Sequence, residues 1–415
     1  MSARPLGLFE ALGLELEYMI VSAENLSVLP VADQVLRAAA GEMVSEVEMG
    51  SLSWSNELCL HVIELKTNGP ARDLRGLSQA FAADAARINA ILAPLKGRLM
   101  PGGAHPLMDP NTETRLWDHE YSPVYEAYNR IFHCQGHGWS NLQSMHINLP
   151  FAGDEQFGRL HAAIRLLMPI MPALAASTPM LDGHYTGFMD SRMEVYRHNS
   201  SRVPSLAGQV IPEAVFTRDD YERRILQPMY ADIRPLDPEG ILAYEWLNSR
   251  GAIARFDRDA IEIRVLDVQE CPGADMAVAG LVVESLKALC QERFASFAEQ
   301  RQWPVEPLAE LFLACTRHAD QAVVSDQAYA RCLGYQGRLP CTAWDIWKHL
   351  AKATAALPDG LDSHLRVILD KGCLARRLSR AMGPDPDNRR IVRVLERLCR
   401  CLEENQLFSG EPDLA

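Results

Sequence analysis

The 415-residue sequence predicts an α+β protein, a strand-bearing body followed by a helical C-terminal part. Two observations carry that prediction. Three runs far apart in the chain, GLELEYMIV from Gly13, SMHINLP from Ser144 and DAIEIRVLD from Asp259, alternate apolar and polar residues with the period of a strand. After Pro272 the pattern changes, and apolar residues recur at three- and four-residue spacing to the C-terminus. The alternation also says something about chemistry. Leu14, Leu16, Tyr18 and Ile20 share one face of the first run, and Glu15 and Glu17 share the other. His146 and Asn148 oppose Met145, Ile147 and Leu149, while Glu262 and Arg264 oppose Ile261, Ile263 and Val265. Carboxylates with an imidazole suit a divalent cation, and arginines suit phosphate. One sheet with an active site on its polar face is the expectation.

In chain order, residues 13–21 and 57–66 read as strands. A helix is expected over 72–96, where Leu77, Phe81, Ala85, Ile88, Ile91 and Leu92 fall near helical spacing. PGGAHPLMDP, from Pro101, is a Gly- and Pro-rich loop. A helix over 121–133 precedes the strand at 143–149, and a long helix follows over 155–176. Residues 182–212 are polar and aperiodic, long for a plain connection, and a loop of that length is expected to be functional or disordered. The strand at 260–268 closes the body. Helices are expected at 275–300, 305–319, 343–356, 361–382 and 387–404, with Arg376, Arg377, Arg380, Arg389, Arg390 and Arg393 on solvated faces.

Composition narrows the function. A formal net charge of −13 argues against a general nucleic-acid or anionic-membrane binder. The ten cysteines are scattered without a CxxC pair, which reads as reduced thiols in a cytoplasmic protein. The N-terminus lacks the apolar core of a signal peptide, and the most apolar run, Ile164 to Ser177, is short and broken by Pro169 and Pro172. There is no GxxxxGK[ST] and no lysine between Lys96 and Lys287, and no GxGxxG follows a strand. HCQGH, from His133 to His137, has paired-histidine spacing but lacks the glutamate and helix of a metalloprotease, so a structured turn is expected.

The acidic set remains. Glu15 and Glu17 lie two apart on a strand, so like charges stand side by side unless a cation separates them. A solvated edge strand is the plain alternative. Glu57 and Glu64 frame NELCLHVIELKTN. Glu64 has the parity of Leu58, Leu60 and Val62, so a regular strand turns it inward, where it needs a ligand, an arginine or a bulge. Alternatively the strand ends before Glu64. Alone, His146 reads as a satisfied core histidine, and Arg192, Arg197 and Arg202 as a solvated loop. Their occurrence together with Glu262 and Arg264 points to a site.

In order and approximate spacing, GLELEY, NELCLHVIELKTNGP, GGAHP, SMHINLP, TPMLDGHYTGFMDSRMEVYR and AIEIRVLDVQ resemble the glutamate–cysteine ligases, bacterial carboxylate–amine ligase branch, over roughly residues 10–290. The resemblance implies a fold similar to the glutamine synthetase catalytic domain: an antiparallel sheet curved into a funnel, with helices packed outside. It implies ATP with Mg2+, and amide formation from a small-molecule carboxylate and amine through an acyl phosphate, the amide being γ-glutamyl where the acid is glutamate. It places Glu15, Glu17, Glu57, Glu64, His146 and Glu262 as metal ligands. Arg192 and Arg264 become the catalytic cations, joined by Lys66 toward ATP. The chain then divides into a catalytic part, 1–290, and a helical part, 291–415, packed on it; a homodimer is compatible with this layout. Two departures, Ala104 in GGAHP and a single His in SMHINLP, are expected near the substrate pocket. A guanidino-kinase-like phosphotransferase and a non-catalytic ATP-binding regulator are the rival readings.

Overall fold

The computed structural model describes residues 4–412. An open antiparallel sheet of eight strands forms the body. Its strands are β1 (Gly13–Ser22), β2 (Glu46–Glu48), β3 (Leu52–Asn56), β4 (Val62–Thr67), β5 (Gly97–Met100) and β6 (Ser144–Pro150), with two later ones. A small hairpin of β7 (Met180–Leu181) and β8 (His184–Tyr185) stands apart; β9 (Ala252–Arg255) and β10 (Ala260–Asp267) complete the sheet. The order is β2-β3-β4-β1-β6-β10-β9. On one side β1 pairs with β4, and on the other its first half pairs with β6 and its second half with β5.

The expected apolar faces form the core. Leu14, Leu16, Tyr18, Ile20, Met145, Ile147, Leu149, Ile261 and Ile263 are fully buried in one cluster with the helices Leu77–Leu92, Gly153–Leu167 and Pro272–Cys290. That cluster continues into the C-terminal part through Leu308, Phe312, Ile346, Trp347 and Ile368. The second half of β1 differs, because Met19 and Val21 also bury their side chains. They pack in a separate cluster with Met100 and with Leu378, Leu395 and Leu398 of the helices Leu374–Met382 and Asn388–Glu404. The C-terminal helices thus cover one end of the sheet face whose other end carries Glu15 and Glu17.

Three expectations on elements need correction. The strand expected from 57 begins only at Val62; Glu57 to His61 form a turn that Cys59 ties to Leu116. Ile63 and Leu65, not Leu58 and Leu60, then supply the apolar face. The helix expected over 275–300 stops at Cys290 and restarts at Phe297–Gln300, where Ser296 and Glu299 form a capping box. The helix expected over 361–382 breaks at Gly372, whose φ of 94° ends the run at Lys371. The aperiodic 182–212 segment contains a short helix, Ser191–Tyr196, capped by the Asp190 carboxylate, which accepts from the Met193 N–H. Among the described residues no helix is long and apolar enough to cross a membrane. All ten cysteines are free.

Candidate active site

The nine residues singled out in the sequence line one cavity of about 380 Å³ on the polar face of the sheet. Register brings them together. Glu15 is opposite His146 across β1 and β6, Glu17 is opposite Glu64 across β1 and β4, and Glu262 is opposite Asn148 across β10 and β6. A β-bulge adds the last piece. Ile263 pairs with Ile147 but Leu266 pairs with Met145, so Arg264 and Val265 hold one residue more than β6 does. The bulge reverses parity. Without it Leu266 would share the face of Glu262 and Arg264; with it Leu266 is buried in the core and Asp267 sits opposite Ser144 on the polar face.

His146 is the hub. Its Nδ1 lies 2.8 Å from Glu15 Oε2 and 3.8 Å from Glu262 Oε1, and its Nε2 lies 2.8 Å from Ser144 Oγ and 3.8 Å from Glu17 Oε1. Glu15 also accepts from Asn148 Nδ2 at 2.9 Å, and Glu17 accepts from the Ser144 backbone N–H at 2.6 Å. Burial by itself would lower the imidazole pKa, but the Glu15 hydrogen bond and three carboxylate charges raise it to about 9. For Glu15 burial would raise the pKa, and the His146 bond and charge, with Lys66 and Arg264, bring it down to about 2. Glu64 behaves oppositely. Burial, then repulsion from Glu15, lifts it to about 7 despite Lys66 at 3.2 Å and the Ser55 hydroxyl at 2.7 Å. Burial and the charges of Glu64 and Glu17 push Glu57 well above the usual carboxylate range.

The cations are held from behind. Glu262 Oε1 accepts from Arg264 Nε at 2.5 Å, and Arg255 Nη1 approaches Glu262 Oε2 at 3.6 Å. Arg192 is buried and ion-paired with Asp267, and donates to the Arg264 carbonyl at 3.2 Å. Asp267 in turn accepts from the Ser177 N–H at 2.7 Å. Lys66 bridges Glu64 and Glu46, the latter at 2.9 Å. A second cavity of about 500 Å³ adjoins the first, with Glu15, Lys66 and Arg258 lining both.

The donor set fits a divalent ion. Glu15, His146 and Glu262 each place a ligand atom within 4.8 Å of the others, as do Glu17, Glu64 and His146. Oxygen donors with one imidazole, and a carboxylate raised by burial and by a neighbouring carboxylate, are the environment a hard cation relieves. Glu57 belongs to neither group.

Other residues quoted from the sequence do different work. Arg197 pairs with Glu194 at 2.6 Å, and Arg202 donates to the Ile131 carbonyl at 2.7 Å. Ala104 lies outside the cavity, in an apolar crevice with Leu378 and Met382, so that departure does not touch the pocket wall. In GGAHP the work falls to Gly103, where a Cβ would stand 2.7 Å from Asp267 Cγ, and to His105, bonded to the Leu26 carbonyl at 2.7 Å. His137 bonds Asp182 at 3.0 Å and Asn141 at 2.9 Å, the structured turn expected for HCQGH. The sequence reading missed Ser55, Ser144, Arg255 and the aromatic wall of Tyr125, Tyr128, Trp139 and Tyr196. Ser144 had the signal, since it shares the parity of His146. The others sit on strands, turns or short helices not recognised as such, or, like Tyr125 and Tyr128, on a helix to whose aromatic residues no role was given.

The fold has solved counterparts. It matches the glutamate–cysteine ligase of Francisella tularensis in complex with AMP with a TM-score of 0.56 at 11% identity, covering 96% of this chain and 90% of that one. It matches a bifunctional glutathione synthetase from Pasteurella multocida with a TM-score of 0.55 at 13% identity, covering 95% of this chain but 52% of that one. This chain thus spans about half the length of the second protein. At such identities the likeness is one of fold, the α+β class built on a large antiparallel sheet. The family model described as Glutamate-cysteine ligase family 2 matches residues 11–331, and the chain belongs to that family of ligases. An uncharacterized protein of Archaeoglobus fulgidus is 30% identical over 401 residues, 96% of this chain and 100% of its own. A Nocardioides protein named "Putative glutamate--cysteine ligase 2-1" is 26% identical over 307 residues, 72% of each chain.

Proposed function

We propose that this protein is an ATP- and magnesium-dependent carboxylate–amine ligase that forms an amide bond through an acyl phosphate. The observation supporting it most strongly is the pair of carboxylate–imidazole groups that share His146 and stand beside Arg264. Glu15, Glu17, Glu64, His146 and Glu262 hold the metal, with Glu57 on the adjacent turn. A bound divalent ion supplies charge neutralisation for the phosphate oxygens of ATP. Arg264 presents its planar guanidinium to the transferred phosphoryl group, and Glu262 fixes its orientation. Arg192 holds Arg264 from the backbone side and adds positive charge at the wall. Lys66 and Arg258, on the wall between the two cavities, face the phosphate chain, and the second cavity accommodates the nucleoside. No side-chain nucleophile is required. The carboxylate oxygen takes the γ-phosphoryl group and releases ADP; the amine then attacks the acyl carbon and phosphate leaves. Residues 1–290 carry this chemistry and residues 291–415 brace it.

Calorimetry with a non-hydrolysable ATP analogue tests the nucleotide part: binding is expected with magnesium and lost with chelator. Incubation with ATP, glutamate and a panel of amines is expected to release ADP and free phosphate in equal amounts, dependent on the amine. A phosphorylated product without free phosphate would make the protein a phosphotransferase instead.

A further inference from the structure

A row of aromatic rings leads from the surface to the cavity wall. Tyr244 is 57% exposed and stacks on Trp246, with centroids 5.6 Å apart and planes 12° from parallel. Trp246 lies 6.0 Å from Tyr128, and Tyr128 lies 5.2 Å from Trp139. Tyr128 and Trp139 line the cavity that holds the carboxylates. Tyr121, next to the helix that bears Tyr125 and Tyr128, is 55% exposed. Large apolar side chains are left in solvent at only five described positions, and Tyr121 and Tyr244 are two of them. Exposed rings continuous with a concave polar site mark a surface kept for a ligand. One polar atom on the wall points the same way. The Trp139 indole N–H is buried without a hydrogen-bond partner, a donor that the face of a bound ring can meet. The Glu57 carboxylate lines the same cavity, and its neighbour Asn56 donates to the Tyr125 hydroxyl at 2.9 Å.

We propose that the acceptor substrate is a primary amine carrying an aromatic ring, packed on Tyr128 and Trp139 in the cavity that holds the carboxylates. The proposal rests on the ligase reading above. The ammonium gives one proton to solvent, and its nitrogen forms the C–N bond to the acyl carbon as the C–O bond to phosphate breaks. Phosphate leaves with the electron pair and the second proton. Ring–ring contact adds to area burial, which a short amine or cysteine cannot exploit.

The test is calorimetric titration of phenethylamine, ethylamine and cysteine into the full-length protein, with and without magnesium, glutamate and a non-hydrolysable ATP analogue. Phenethylamine is expected to bind at least tenfold more tightly than the other two. Tyr128→Leu is expected to remove that preference, and Tyr244→Ser, at an exposed ring where folding is not at stake, to weaken phenethylamine severalfold while leaving ethylamine unchanged. Nucleotide binding combined with equal affinities, or with preference for cysteine, overturns the acceptor proposal and leaves the ligase reading standing. Failure of the nucleotide to bind overturns the ligase reading, and the aromatic-amine site is then judged on the nucleotide-free titration: a tenfold preference keeps it, and none removes it.

Discussion

Glu262 is the counter-charge to Arg264 and Arg255 and stands 3.8 Å from His146, where the ligase reading makes it a metal ligand. Glu262→Gln is therefore expected to lower the stability of the metal-free protein by about 1–3 kcal/mol, because a mostly buried guanidinium loses its charged acceptor. It should also shrink the stabilisation given by magnesium and ATP. Thermal melts with and without both ligands measure the two effects; an unchanged ligand shift would remove Glu262 from the metal set. His146 and Glu64 set the pH dependence. The folded-state pKa of His146 is about 9 against 6.5, so its contribution is complete below 6.5 and is lost as pH rises through 9. Glu64, about 7 against 4.5, favours its protonated form in the fold and loses stability over the rise from 4.5 to 7. Glu15, about 2 against 4.5, has the reverse sign, and its contribution is lost below 4.5. The melting temperature of metal-free protein is expected to fall between pH 6 and 9, and His146→Gln to flatten the upper part of that fall. Magnesium affinity should rise over the same range, since a ligating imidazole must be neutral.

At the scale of the element, the bulge in β10 is the device that joins Glu262, Arg264 and Asp267 on one face. Gly251 supports it: its carbonyl accepts from the Arg264 N–H at 2.8 Å, and a Cβ there would come within 2.4 Å of Val265 Cγ1. Gly251→Ala is expected to cost about 1–3 kcal/mol by overpacking and to reduce turnover by displacing Arg264. Denaturant melts and steady-state rates check both; full activity in a destabilised variant would separate the bulge from the chemistry. The turn from Glu57 to His61 is the second such device. By starting β4 at Val62 it moves Glu64 to the polar face, which uninterrupted alternation could not indicate.

Across the whole molecule, the C-terminal helices are fastened to the sheet by a fully buried ion pair. Arg377, expected on a solvated face, is instead fully buried: it pairs with Glu270, which follows β10, and also donates to the Phe408 carbonyl at 2.8 Å. Arg377→Met leaves Glu270 buried without its cation and is expected to cost about 3–5 kcal/mol. Urea denaturation measures the loss; a change below about 1 kcal/mol would mean that water or another donor replaces the arginine.

Strand alternation in three runs was legible in the sequence because a period of two is a local property of the backbone. It identified Glu15, Glu17, His146, Glu262 and Arg264 as one chemical set, and the shift to helical spacing after Pro272 was equally local. Where a strand begins, where it gains a residue and which helix lies across it depend on partners far away in sequence. The turn at Glu57–His61 is fixed by Leu116, the bulge by β6, and the burial of Met19 and Val21 by helices more than 350 residues later. The aromatic wall lies in the same category: Tyr128, Trp139 and Trp246 come from three separate segments, and no period in a single chain can show that their rings meet.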